Sequence, residues 1–126
     1  MNVLVVEDHK DTLSVLEQIL THQGFEVTTA ETMESGLSHL QKKHFGAIVS
    51  DIVLPDGTGY GLISEARRHG IDALAIAVSA YSYPGDVNEP KLTGFDYHLR
   101  KPINSAQLLS LLETIPLSGT NGGSKN

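Results

Sequence analysis

The sequence predicts an α/β fold in which a parallel sheet carries helices on both faces. Three observations lead to it. Five short apolar runs are each strand-sized, segments of helical period lie between them, and several runs are continuously apolar, as strands covered on both faces are. Strand and helix alternate along the whole chain, which is the signature of a parallel sheet with crossover helices. At 126 residues there is material for one domain with a single core.

The first strand is Val3-Leu4-Val5-Val6. A helix follows, with Leu13, Leu16 and Leu20 at i, i+3 and i+7, and with Val15 and Ile19 expected to widen the stripe. Gly24 sits where that helix should stop. The second strand is Phe25 to Thr29 and the third is Ala47-Ile48-Val49. Gly70 marks another helix end, and Ala73 to Val78 is the fourth strand. Pro84 and Pro90 bracket the next helix. A proline inside a helix costs about 3 kcal/mol, so that helix is expected to be short, distorted or mobile. Tyr97-His98-Leu99 is the fifth strand. The last helix carries Leu108, Leu111, Leu112 and Ile115, with Asn104 as N-cap and Gln107 three residues on. There is no internal repeat. Residues 1–117 form the expected domain, and 118–126, rich in Gly, Ser and Asn, a flexible tail or linker stub.

Composition narrows the function. Hydrophobic residues make up 40% and charged residues 19%, with a net charge of -6 and no basic run, which argues against direct nucleic-acid binding. The absence of cysteine excludes disulfides and cysteine-metal sites and fits the cytoplasm. The apolar run that begins at Val3 ends at Glu7-Asp8, too short for a signal peptide or a membrane span.

Open α/β sheets carry their sites at the carboxyl ends of the strands. Glu7 and Asp8 stand there after the first strand, Asp51 after the third, Ser79 after the fourth and Lys101-Pro102 after the fifth. Singly, each has a bland reading: Asp51 a turn former, Ser79 a cap, Lys101 a solvated charge, Glu7-Asp8 the start of a helix that favours acids. Together they are three carboxylates, a hydroxyl and a lysine at one sheet edge. Packed carboxylates repel unless a cation lies among them, and hard oxygen ligands suit Mg²⁺. A carboxylate beside such a metal can attack phosphorus while metal and lysine offset the charge on the phosphoryl oxygens. No glycine-rich phosphate loop follows the first strand.

These residues resemble the receiver domain of two-component signalling systems over about residues 2 to 116. The likeness is carried by Val3-Leu4-Val5-Val6-Glu7-Asp8, by Ser50-Asp51-Ile52-Val53-Leu54-Pro55-Asp56-Gly57-Thr58-Gly59, by Val78-Ser79-Ala80, and by Gly94-Phe95-Asp96 with Leu99-Arg100-Lys101-Pro102. The resemblance implies a flavodoxin-like, doubly wound sheet of strand order 2-1-3-4-5 with five helices. It implies a phosphorelay switch in which Asp51 accepts a phosphoryl group from the phosphohistidine of a sensor histidine kinase or histidine phosphotransfer protein. Mg²⁺ would be held by Asp8, Asp51 and the Val53 carbonyl, with Glu7 acting partly through water. Ser79 would be the switch hydroxyl, Lys101 the phosphoryl-binding cation, and the bond before Pro102 cis. Output, to a second copy or a downstream protein, would pass through the face of the fourth helix, fifth strand and fifth helix.

Where the family often has Tyr or Phe three residues before the lysine, this chain has His98, as receivers attached to hybrid sensor kinases do. Tyr97 is one residue off and should point to the other side of the strand. The other five histidines, His9, His22, His39, His44 and His69, read as surface residues without an i, i+4 ligand pair, and Tyr60, Tyr81 and Tyr83 as packing or rim residues. Three competing readings remain. A pseudo-receiver would bind partners without phosphorylation. An aspartyl phosphatase would carry an acid where Val53 stands. A flavin carrier would need a hydroxyl-rich loop where Glu7-Asp8 stand.

Overall fold

Val3, Leu4, Val5 and Val6 have no solvent exposure, which a strand achieves only with cover on both faces. The computed structural model describes residues 1–80 and 94–114, and in it β1 (Asn2–Val6) is the second strand of a five-stranded parallel sheet. The others are β2 (Glu26–Ala30), β3 (Ala47–Asp51), β6 (Leu74–Ser79) and β7 (Tyr97–Arg100), in the order β2-β1-β3-β6-β7. Counting only these strands, that is the expected order 2-1-3-4-5. Two additional strands, β4 (Val53–Leu54) and β5 (Gly57–Thr58), pair antiparallel in a hairpin directly after Asp51. At two residues each, they are too short to leave a periodic pattern in the sequence.

The period of two along a strand divides the interior into two cores. Leu4, Val6 and Ile48 face one way, against Leu40 of α2 (Met33–Lys42) and Leu62, Ile63 and Ala66 of α3 (Gly59–Arg68). Val3, Val5, Val49, Ile76 and Val78 face the other, against Leu16 and Leu20 of α1 (Lys10–His22) and Leu108 and Leu112 of α4 (Ser105–Leu112). Each such leucine contributes about 1.5–3 kcal/mol by leaving water. Val15 departs from expectation: it is 47% exposed. It lies about 100° further round α1 than Leu16, beyond the stripe that meets the sheet.

The helix ends follow local chemistry. Asn104 accepts a hydrogen bond from the Gln107 amide at 3.0 Å, as the spacing predicted. Thr32 and Thr58 cap α2 and α3 in the same way, from the amides of Ser35 and Gly61. Gly24 and Gly70, just beyond α1 and α3, have φ of +94° and +77°. Four helices lie within the described residues. The helix expected between Pro84 and Pro90 lies outside them, as do Tyr81, Tyr83, Ile115 and the tail 118–126. No helix among the described residues is long and apolar enough to cross a membrane.

Gly94-Phe95-Asp96 positions β7. Gly94 has φ +85°, and a Cβ there would stand 2.8 Å from Ile63 Cγ2, so both conformation and space call for glycine. Phe95 is buried, with its ring edge-to-face to Tyr60 at 6.0 Å, the packing role expected of that tyrosine. Asp96 Oδ2 accepts the Ala75 amide at 2.8 Å. Arg67 donates to the carbonyls of Ile71, Ala73 and Gly94, closing the loop beneath.

Candidate functional site

Five polar residues collect at the carboxyl edge of the sheet because four of its parallel strands, β1, β3, β6 and β7, end there. Asp51 closes β3 and is buried, with Glu7 and Asp8 just beyond the neighbouring β1. Ser79 closes β6 and is also buried, one residue past Val78, the register partner of Asp51. Lys101 follows β7, its amide donating to the Ser79 carbonyl at 2.8 Å. The Lys101–Pro102 bond is cis, as the resemblance implied.

The Asp51 carboxylate is held asymmetrically. Its Oδ1 accepts the amides of Ile52 at 2.6 Å and Val53 at 3.3 Å. Its Oδ2 accepts from Lys101 Nζ at 3.2 Å. Lys101 also reaches Glu7 Oε1 at 2.9 Å, and Glu7 is fully buried. Burial by itself would lower the Lys101 pKa, but the Glu7 and Asp51 carboxylates outweigh it and hold the ammonium above its ordinary value. Behind the site, Gly59 lets the α3 start approach closely: a Cβ would collide with the Asp51 carbonyl oxygen.

Glu7, Asp8, His9 and Asp51 each offer a ligand atom, and these atoms lie within 4.8 Å of one another. The Asp8 Oδ1 atom is cut off from solvent and accepts no hydrogen bond among the described residues. A carboxylate oxygen held in that way costs free energy unless a cation meets it. Oxygen donors, negative charge in excess of Lys101 and an orphaned acceptor together fit a hard divalent ion such as Mg²⁺.

The other expected residues stand nearby. Val53 lies on the β4–β5 hairpin with 56% of its surface exposed. His98 lies on β7 beside Ala77, its ring 5.9 Å from Phe95, while Tyr97 packs into the opposite core, so the two do point to opposite faces. His9 and His69 are exposed, as read, and each has a contact the sequence reading did not name. His69 forms an i, i+4 ion pair with Glu65 at 3.1 Å. His9 directs Nδ1 at the acids, 3.0 Å from Glu7 Oε2. Its adjacency to Glu7-Asp8 was the available signal.

Sequence reasoning also passed over a role for Asp56. Its two carboxylate oxygens accept the Met33 and Glu34 amides at 2.7 and 3.0 Å, tying the segment after Asp51 to the first turn of α2. The Glu34 amide first, and that of Met33 next, pull the Asp56 pKa below its ordinary value.

A family model described as the response regulator receiver domain matches residues 3–113. An uncharacterized 14.6 kDa protein from the sodA1 3′ region of Leptolyngbya boryana is 33% identical over 115 residues, covering 90% of this chain and 88% of that protein. The response regulator SaeR of Staphylococcus aureus is 25% identical over 108 residues, which are 86% of this chain but only 47% of SaeR. Among solved structures, the response regulator TrrA of Thermotoga maritima, in complex with Mg²⁺-BeF, superposes with a TM-score of 0.80 at 27% identity, covering 90% of this chain and 97% of that one. With residues 3–113 matched by the family model, this chain belongs to the response regulator receiver domain family of two-component signalling.

Proposed function

We propose that this receiver is switched by phosphorylation of Asp51. The carrying observation is the meeting of the Glu7, Asp8 and Asp51 carboxylates with Lys101, whose Nζ lies 2.9 Å from Glu7 and 3.2 Å from Asp51. The Asp51 carboxylate attacks the phosphorus of a phosphohistidine donor, the P–N bond breaks, and an acyl phosphate forms on Asp51. Asp8, Asp51 and the Val53 carbonyl would hold Mg²⁺, with Glu7 acting partly through water. When bound, the ion offsets charge on the transferring phosphoryl oxygens. Lys101 binds one of those oxygens, and the Ser79 hydroxyl donates to another. The Mg²⁺-BeF complex of TrrA supports a metal in this family's acid site.

The chain thus catalyses its own phosphorylation and a slow dephosphorylation, acting as a switch rather than as an enzyme on a separate substrate. Its donor is a sensor histidine kinase or histidine phosphotransfer protein in the cytoplasm. Residues 1–117 form the receiver and 118–126 a tail or linker stub. His98 moves with Ser79 in the switch, and output passes to a second copy or a downstream protein through the face that includes β7 and α4. Mg²⁺ titration by calorimetry tests the metal half of this reading. Wild type binds, and Asp8→Ala and Asp51→Ala largely lose binding; undiminished binding in both would reject the site.

A further inference from the structure

The residue at the start of α1 gives the acid cluster a donor that is not oxygen. His9 occupies the N-cap position, with φ −82° and ψ 113°, yet its side chain makes no capping bond. Its carbonyl is fixed by the Leu13 amide at 2.9 Å, and its own amide donates to Glu7 Oε2 at 3.1 Å. This backbone anchorage sets the imidazole over the acids, where Nδ1 lies 3.0 Å from Glu7 Oε2, 3.5 Å from Asp8 Oδ1 and 3.9 Å from Asp51 Oδ2.

We propose that His9 Nδ1 is a direct ligand in this metal site, and that it shifts the site's selectivity from Mg²⁺ toward borderline transition ions such as Zn²⁺. Donors about 2.0–2.2 Å from one ion stand roughly 3.0–3.6 Å from each other. The imidazole nitrogen is hydrogen-bonded to Glu7 Oε2 at 3.0 Å, and an ion that displaces the shared proton finds that spacing from Glu7 and Asp8 already set, with a small closure needed toward Asp51. Asp8 Oδ1 has no hydrogen-bond partner among the described residues and lies 3.5 Å from the same nitrogen, so one ion can meet both atoms. An imidazole nitrogen gains little from Mg²⁺, which prefers oxygen and keeps its waters, and much from Zn²⁺. With 69% of its side chain exposed, His9 can adjust to an ion without disturbing the core. The inference rests on reading the acids as a divalent-metal site.

Two measurements test it. Calorimetric titrations with Zn²⁺ alone and Mg²⁺ alone, on wild type and His9→Ala, give the ratio of the two affinities. The ratio should fall about tenfold or more in His9→Ala. Two-bond ¹H–¹⁵N spectra of the imidazoles in wild type should show the His9 Nδ1 resonance moving on Zn²⁺ addition and not with Mg²⁺. An unchanged ratio, or a stationary Nδ1 at Zn²⁺ saturation, overturns the inference while Mg²⁺ binding leaves the acid site standing. Failure of wild type to bind either ion would overturn both.

Discussion

Replacing Lys101 by methionine keeps the length of the side chain and removes its charge, and the structure sets the cost. Nζ stands 2.9 Å from a fully buried Glu7 and 3.2 Å from Asp51. At an effective dielectric constant of about 20, each attraction is about 5–6 kcal/mol in gross Coulomb energy. Desolvation of the three groups cancels much of this, and removing one partner from a buried pair generally costs about 3–5 kcal/mol. Lys101 keeps some solvent contact, with 16% of its side chain exposed, so the lower end, about 3 kcal/mol, is expected. For a chain of this size that is a fall in Tm of about 10 °C.

Thermal unfolding followed by circular dichroism, without metal and at low salt, measures it. The Lys101 pKa is raised in the fold. Its stabilisation is therefore complete below the unfolded lysine value and is lost only as pH rises through the higher folded value. The gap between wild type and Lys101→Met should hold across neutral pH and narrow in strong alkali. Mg²⁺ at about 100 times its Kd should return about 2.7 kcal/mol to the variant. A fall in Tm of less than about 2 °C would refute the claim that Lys101 offsets the repulsion of these acids.

Two further outcomes follow from the site. Val53 projects an exposed apolar side chain two residues beyond Asp51, unable to orient a water, so Val53→Asn should lose its phosphoryl group faster than wild type; an equal or slower rate in a phosphate-release assay counts against it. Asp56, with its pKa lowered, stabilises the fold above the unfolded aspartate value and loses that contribution as pH falls through the folded value. Asp56→Ala should therefore show a shallower acid limb in a plot of stability against pH, and identical acid limbs would show that its bonds to the α2 amides are energetically idle.

The parallel sheet with helices on both faces was legible because short continuous apolar runs such as Val3–Val6 and Ala73–Val78 read as strands covered on both sides, with room for a helix between them, while the order of the strands came from the family resemblance. Glu7, Asp8, Asp51 and Lys101 were legible as a group for the same reason: parallel strands deliver their carboxyl ends to one edge. The β4–β5 hairpin was not, since its two-residue strands carry no period. Nor was the bond from Asp56 to α2, which joins residues 22 and 23 positions apart by side chain to backbone and leaves no pattern in either segment. Val15 misled because an apolar residue beside a stripe is not thereby part of it. His9 is exposed, as read, but that its ring also sits against the acids was signalled only by its adjacency to Glu7-Asp8. The expected weak helix between Pro84 and Pro90, and the coupling of that helix to Ser79 and His98, fall outside the described residues.

The central claim is that Asp51 carries the phosphoryl group, and intact-mass spectrometry after incubation with acetyl phosphate and Mg²⁺ tests it most directly. Wild type should gain the mass of one phosphoryl group, and Asp51→Asn should gain none. Wild type without the adduct, or the same adduct on Asp51→Asn, would contradict the account.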